Sequence, residues 1–262
     1  MEFKIYQIDA FTDEIFEGNP ACIVPLDEWL PDHILLKISK ENAVSETAFF
    51  IDKGGKVDLR WFTSEIEMDL CGHATLAAAH CLKTILNYKD DKVIFKTLSG
   101  ELKVLFQNDM YYMNFPSRMP FISELPKVIK KALNIQPREV FKSRDYILIY
   151  DSEQEIKNIK IDRQIFDQIN LDPGGLVVTA KGEECDFVSR FFTSQSTIFE
   201  DPVTGSSHCS LIPFWSKRLK KNKLNAIQIS DRKGVLNCKN MESRVVISGK
   251  ARTYSKGIFF IK

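Results

Sequence analysis

The sequence predicts an α+β protein built from two pseudo-symmetric halves, each with a mainly antiparallel sheet. Short alternating or apolar runs outnumber helical patterns, and short turns join most of them, which favours antiparallel pairing. No GxGxxG fingerprint follows a strand-like run, so nothing supports a dinucleotide-binding parallel sheet. The third observation is a repeat: Arg60-Trp61-Phe62-Thr63-Ser64 returns as Arg190-Phe191-Phe192-Thr193-Ser194, 130 positions on in a chain of 262 residues. A period that long points to a duplicated domain and not to a solenoid. The expected halves are residues 1–117 and 118–262.

The elements follow in order. Phe3 to Ile8 alternates as a strand. Asn19 to Pro25 reads as a turn into a short buried strand. Pro31 stands where helices often begin, and Ile34, Leu35 and Ile38 follow at helical spacing, so a helix should end near Asn42. Strands are expected at Glu46–Ile51 and Val57–Phe62, with Asp52-Lys53-Gly54-Gly55 as the turn between them. Gly72 opens an Ala-rich helix reaching about Leu86. Strands recur at Val93–Phe95, Glu101–Phe106 and Met110–Asn114. The second half should contain helices near Pro126–Leu133 and Arg163–Ile169, and strands at Tyr146–Tyr150, Leu176–Ala180 and Asp186–Phe192. A helix then starts around Gly205. Ala226–Ile229, Val235–Cys238, Arg244–Ser248 and Gly257–Ile261 close the chain as strands.

Composition narrows the function classes. There are 36 basic and 35 acidic residues, a net charge of +1, so no long-range field draws the chain to nucleic acid or an anionic membrane. No apolar stretch approaches the roughly 20 residues of a membrane span. The opening MEFKIYQIDAF has no basic region ahead of a long apolar run, so no signal peptide is expected. The six cysteines are scattered without a CxxC pair and read as reduced thiols of a cytoplasmic protein. His73 and His80 are seven positions apart, not the i, i+4 of a helical zinc site, so metal dependence is not expected.

The repeat extends into chemistry. At the 130-residue offset, Cys71 falls opposite Asp201, and a small-residue helix start follows each: Gly72-His73-Ala74-Thr75 and Thr204-Gly205-Ser206-Ser207. The first N–H groups of a helix lack intrahelical partners, and with the helix dipole they favour an anion. Glycine there lets a ligand approach the backbone. Two such starts suit the carboxylate of a small acid. Ser206 and Ser207 would add hydroxyl donors, although a serine at this place commonly caps its own helix. The dipole would make Cys71 more acidic, while an unpaired cysteine is usually a small buried hydrophobe. Asp201 would be held ionised, while Asp-Pro is also a common turn. Glu46 opens an apolar strand; it stands either exposed at the strand end or against apolar surface that raises its pKa into the range of a proton donor. His73 and His208 lie in first turns, where neutral imidazole can donate to a substrate oxygen. His208 reads as packed and His80 as a helix-face residue.

Gly18-Asn19-Pro20, Ser45-Glu46-Thr47, Asp69-Leu70-Cys71-Gly72-His73-Ala74-Thr75 and Glu200-Asp201-Pro202-Val203-Thr204-Gly205-Ser206-Ser207-His208 together resemble the signature blocks of the PhzF-like family. The stretch from Ser248-Gly249 to Gly257 also fits. The resemblance implies a fold like diaminopimelate epimerase, with two β-barrel-like sheets around central helices and a site in the cleft between them. It implies isomerisation by proton transfer without a cofactor. Glu46 matches the family's catalytic glutamate; His73 and Asp201 match its other active-site positions. Gly72 and the Thr204-Gly205-Ser206 turn match positions whose backbone faces the substrate carboxylate. Pro213 departs locally, falling inside the helix after Gly205, where it removes an N–H and threatens a kink. Expected partners are a small anionic substrate and a second copy in a homodimer, with no nucleic acid or membrane. The alternatives are an amino-acid racemase or epimerase using Cys71, and a non-catalytic small-acid binding protein.

Overall fold

The computed structural model describes residues 1–261. The chain first forms β1 (Glu2–Ala10), β2 (Asn19–Pro25), α1 (Asp32–Asn42), β3 (Glu46–Asp52), β4 (Val57–Phe62), β5 (Glu67–Met68) and α2 (Gly72–His80). A π-helical turn, Cys81–Ile85, extends α2, then β6 (Lys92–Thr97), β7 (Gly100–Gln107) and β8 (Met110–Pro116) follow. The next stretch holds β9 (Phe121–Ile122), α3 (Lys127–Ala132), β10 (Glu139–Lys142), β11 (Tyr146–Ile149), α4 (Glu153–Asn158), α5 (Arg163–Phe166), β12 (Leu176–Lys181), β13 (Phe187–Phe192) and β14 (Glu200–Asp201). Last come α6 (Gly205–Leu219), β15 (Lys223–Gln228), β16 (Gly234–Met241), β17 (Arg244–Gly249) and β18 (Ala251–Phe260). Among the described residues, no helix is long and apolar enough to cross a membrane.

Two compact units result: Met1–Phe115 with the segment from Ile247 onward, and Pro116–Val246. The expected halves put everything after residue 117 in the second. The closing strand returns instead to the first unit, because β18 pairs antiparallel with β1 from Glu2↔Phe260 to Ala10↔Ala251. A terminal strand without a local hairpin partner must find one far along the chain, and its sequence does not name that partner.

The units share one topology. In the first, β2 and β3 are parallel, β3 and β4 antiparallel, and β4 and β6 parallel. In the second, β11 and β12 are parallel, β12 and β13 antiparallel, and β13 and β15 parallel. Parallel neighbours need a crossover, usually helical. Accordingly α1 and α2 bridge the first unit's parallel pairs, and the α4–α5 segment and α6 bridge the second's. All nine residues of α2 are buried, as an Ala-rich, apolar helix inside a sheet should be.

The repeated pentapeptide has the same job twice. Arg60 reaches Glu67 with two nitrogens at 2.7 and 2.6 Å, and Arg190 reaches Glu200 with two at 2.7 Å. Each guanidinium lies 4.9 Å over the phenylalanine two positions on, Phe62 or Phe192. The 130-residue offset does not survive past these strands. Trp61 pairs with Met68, whereas Phe191 pairs with Asp201. The second turn is three residues longer, and the first helical residues are Gly72 and Gly205. Cys71 therefore corresponds to Thr204, not to Asp201.

Pro213 leaves α6 continuous from Gly205 to Leu219. The carbonyl its missing N–H would have bonded is that of Cys209, and the backbone N–H of Arg118 donates to it at 2.9 Å. The lost helical bond is replaced from another segment, which removes the usual cause of the cost.

The second unit also buries a carboxyl, Asp145, whose Oδ1 accepts the Gly175 N–H at 3.0 Å. Burial pushes its pKa up to about 6 from 3.8. The folded state then holds a proton that the unfolded state has released between pH ~4 and ~6, so stability falls as pH rises through that window. Asp145→Asn keeps an acceptor for Gly175 and removes the penalty. The variant should be more stable than the parent by about 1–3 kcal/mol at pH 8, with the gain vanishing below pH ~4. Denaturant melts at the two pH values check this, and an equal gain at both would refute it.

Candidate active site

Glu46 begins β3, Cys71 precedes α2, and His73 is the second residue of α2. Glu46 is not the exposed strand end that its position allowed: its side chain is 14% exposed. Its Oε2 lies 3.1 Å from His73 Nε2. On the ring's other side, Nδ1 is 3.2 Å from Asn19 Nδ2 and 3.5 Å from Cys71 Sγ. Glu46 thus takes the Nε2 edge of the ring, while Asn19 and Cys71 take the Nδ1 edge.

The local sequence explains each placement. Gly18 turns the chain into β2 at φ +66°, and a Cβ there would lie 2.2 Å from the Ala10 carbonyl oxygen, so only glycine brings Asn19 to this position. The parallel register sets Ala21 opposite Glu46, which brings the two strand starts together. Cys71 caps α2 in an extended conformation without a side-chain cap bond, leaving first-turn N–H groups for an incoming anion.

The charges of this trio are coupled. Burial raises the pKa of Cys71, and the Glu46 charge adds to this while His73 opposes it. The dipole-lowered thiol expected from its place at the helix start is thus corrected: desolvation exceeds the dipole. Burial pulls the His73 pKa down, but the charges of Cys71 and Glu46 outweigh it and carry the group well above the ordinary histidine value. The three groups therefore share their protons as a set.

The second unit carries the other expected residues. Thr204 caps α6, also without a side-chain cap bond. Its hydroxyl donates instead to Asp201 Oδ2 at 2.5 Å. Gln228 supports the turn: its Oε1 accepts the Thr204 N–H at 2.9 Å, and its Nε2 donates to the Asp201 carbonyl at 2.7 Å. Gly205 is buried and Ser206 half-buried. Ser207 donates to the Thr204 carbonyl at 2.9 Å, so its hydroxyl serves the helix rather than pointing to a ligand. His208 is packed as expected: its Nδ1 bonds the Thr204 carbonyl at 2.8 Å, and burial lowers its pKa to about 4. His80 also belongs to the framework, between the Tyr111 hydroxyl at 2.9 Å and the Thr253 hydroxyl at 3.0 Å.

Two members of these networks were not singled out as site residues. Asn19 was visible within Gly18-Asn19-Pro20, but nothing in that tripeptide says what its amide touches. Gln228 sits in an ordinary strand and gave no signal.

The chain resembles known proteins along nearly its whole length. The PhzC-PhzF family, described as phenazine biosynthesis-like protein, matches residues 8–257. An uncharacterized isomerase of Pseudomonas aeruginosa is 45% identical over 258 residues, covering 98% of both chains. A crystal structure of a PhzF-family phenazine biosynthesis protein from Enterococcus faecalis superposes with a TM-score of 0.94 at 40% identity, covering both chains completely. A hydroxyproline epimerase from Agrobacterium vitis shares the fold at TM-score 0.64 and 8% identity, over 98% of this chain and 92% of that one. The chain belongs to the PhzC-PhzF family of phenazine biosynthesis-like proteins and is an isomerase of α+β, epimerase-like fold.

Proposed function

We propose that the protein isomerises a small carboxylic acid by moving a proton between two of its carbons, with Glu46 as the acid/base and no cofactor. The observation that carries this is the half-buried Glu46 carboxylate held 3.1 Å from an imidazole whose opposite edge is fixed by Asn19. A carboxylate so held can take a proton from one carbon, exchange it with solvent and deliver a proton to another carbon of the same substrate. His73 orients Glu46. The helix starts at Gly72 and Gly205 each present backbone N–H groups suited to a substrate carboxylate. Asp201, oriented by Thr204, positions the substrate or relays the proton.

A second reading is favoured by one contact: Cys71 Sγ lies 3.5 Å from His73 Nδ1, so the same imidazole could serve a thiol in a racemase or epimerase. Against it, burial raises the pKa of the thiol, and the second unit offers Thr204 at the corresponding place.

Solvent deuterium incorporation separates the readings. The chain is incubated in D₂O with dihydro-hydroxyanthranilate, related cyclic dienes, diaminopimelate and common amino acids, and mass spectrometry reports deuterium at carbon. The isomerase reading expects Cys71→Ser to exchange within about tenfold of the parent, with Glu46→Gln losing the activity. Loss with Cys71→Ser alone would transfer the assignment to the thiol. Saturable binding without exchange would indicate a binding protein.

A further inference from the structure

We infer that Gln228 is a positioning residue for Asp201, and that the closed end of the β15–β16 hairpin is a clamp on the turn that leads into α6. The inference rests on the reading above, in which Asp201 meets the substrate. Gln228 ends β15 and is fully buried. Its amide fits its surroundings in one orientation only. Oε1 accepts the Thr204 N–H at 2.9 Å, while Nε2 donates to the Asp201 carbonyl at 2.7 Å and to the Thr204 hydroxyl oxygen at 3.3 Å. A flipped amide would set donor against donor and acceptor against acceptor. With Nε2 donating to it, the Thr204 oxygen gives its own hydrogen to Asp201 Oδ2, 2.5 Å away. In a capping box, a side chain three positions into the helix accepts the cap residue's N–H. Here the acceptor comes from a strand 24 positions on, and the Thr204 hydroxyl is left to hold the carboxylate.

The same hairpin end grips the rest of the turn. Ser230 donates to the Pro202 carbonyl at 2.8 Å. Gly234 pairs with Gln228 across the hairpin, and a Cβ there would lie 2.2 Å from Cγ2 of the fully buried Val203. Glycine thus leaves the space that Val203 fills. Every residue from Asp201 to Thr204 is held from this one place, two by Gln228 itself. Filling a core needs only apolar volume, and an amide buried there must find partners for both its ends. A polar group satisfied on both sides fixes a single geometry, which is what a carboxylate needs in order to meet a substrate repeatedly in the same pose.

Two variants of the full chain test this. Gln228→Ala removes every bond. Gln228→Glu keeps Oε1 for the Thr204 N–H but sets an oxygen in place of the donor nitrogen, against the Asp201 carbonyl and the Thr204 hydroxyl. Amide hydrogen exchange followed by NMR should show the Thr204 N–H protected in the parent and in Gln228→Glu, and fast in Gln228→Ala. A Thr204 N–H that exchanges freely in the folded parent would overturn the clamp. Deuterium incorporation is then measured with dihydro-hydroxyanthranilate, or with the first other acid of the panel that the parent labels. Both variants should lose ~10–100-fold in kcat, the scale of misplacing a group that meets the substrate. In an Asp201→Asn background the same changes should cost less than about twofold, because coupled residues are not additive. Equal losses in both backgrounds would mean that Gln228 acts on the fold at large, and would refute the inference. Activity lost in Glu46→Gln but untouched in Asp201→Asn would leave the isomerase reading standing and this one refuted. Activity kept in Glu46→Gln, with Gln228 and Asp201 still coupled, would do the reverse.

Discussion

Glu46→Gln should lower deuterium exchange at the substrate carbon by ~10²–10⁴, the usual worth of one positioned acid/base. Glutamine fills the same volume and can still meet His73 Nε2, but it cannot take up a proton. The loss should therefore fall on kcat, with substrate affinity changed much less, because the carboxylate grip is assigned to the helix starts. A matched loss in KM with kcat intact would mean that Glu46 only binds. Asn19→Ala offers a graded companion. It removes the amide from the far edge of the imidazole without touching the carboxylate, so kcat should fall less than in Glu46→Gln, and its pH profile should shift because His73 Nδ1 loses its amide partner.

Arg190→Ala should destabilise the protein by roughly 3 kcal/mol, the scale of breaking a largely buried ion pair. The guanidinium makes two bonds to Glu200 and also donates to the Ile156 and Ile159 carbonyls at 3.2 and 3.1 Å. Those carbonyls lie at the C-terminal end of α4, so one side chain ties a helix end to a strand pair. Truncation leaves Glu200 uncompensated and both carbonyls short of a donor. Arg60→Ala should cost less, because Arg60 spends its further bond on Asp32, whose side chain is 69% exposed, and surface pairs are worth little. Denaturant midpoints of the two variants decide the matter; an equal or larger loss for Arg60→Ala would refute this ranking.

The site was partly legible because chemistry repeats where geometry repeats. The pentapeptide starting at Arg60 and Arg190 marked two strands that carry the same Arg–carboxylate fork. The glycines at 72 and 205 marked two helix starts. The blocks around Glu46, Cys71 and Asp201 carried the family, which the comparisons bear out. The repeat could not carry its own register past the strands: an insertion in a solvent-facing turn costs little and leaves no periodic trace, so Thr204 was mistaken for a neighbour and Asp201 for the partner of Cys71. Another local signal is plain in the sequence. Ser152-Glu153-Gln154-Glu155 is a capping box, formed in full at the start of α4.

The sequence by itself determined the α+β class, the duplication, most strands and helices, and the residue types brought to the helix starts. These depend on periodicity, turn residues and caps, which act over a few positions. Tertiary structure alone decided that the last strand completes the first unit, that Arg118 repairs the gap left by Pro213, and that Asn19, Glu46, Cys71 and His73 meet around one imidazole. Each of those depends on pairing between segments far apart in the chain. It also reversed the acidity expected of Cys71, because a helix dipole is a local property whereas desolvation is set by everything packed around the thiol.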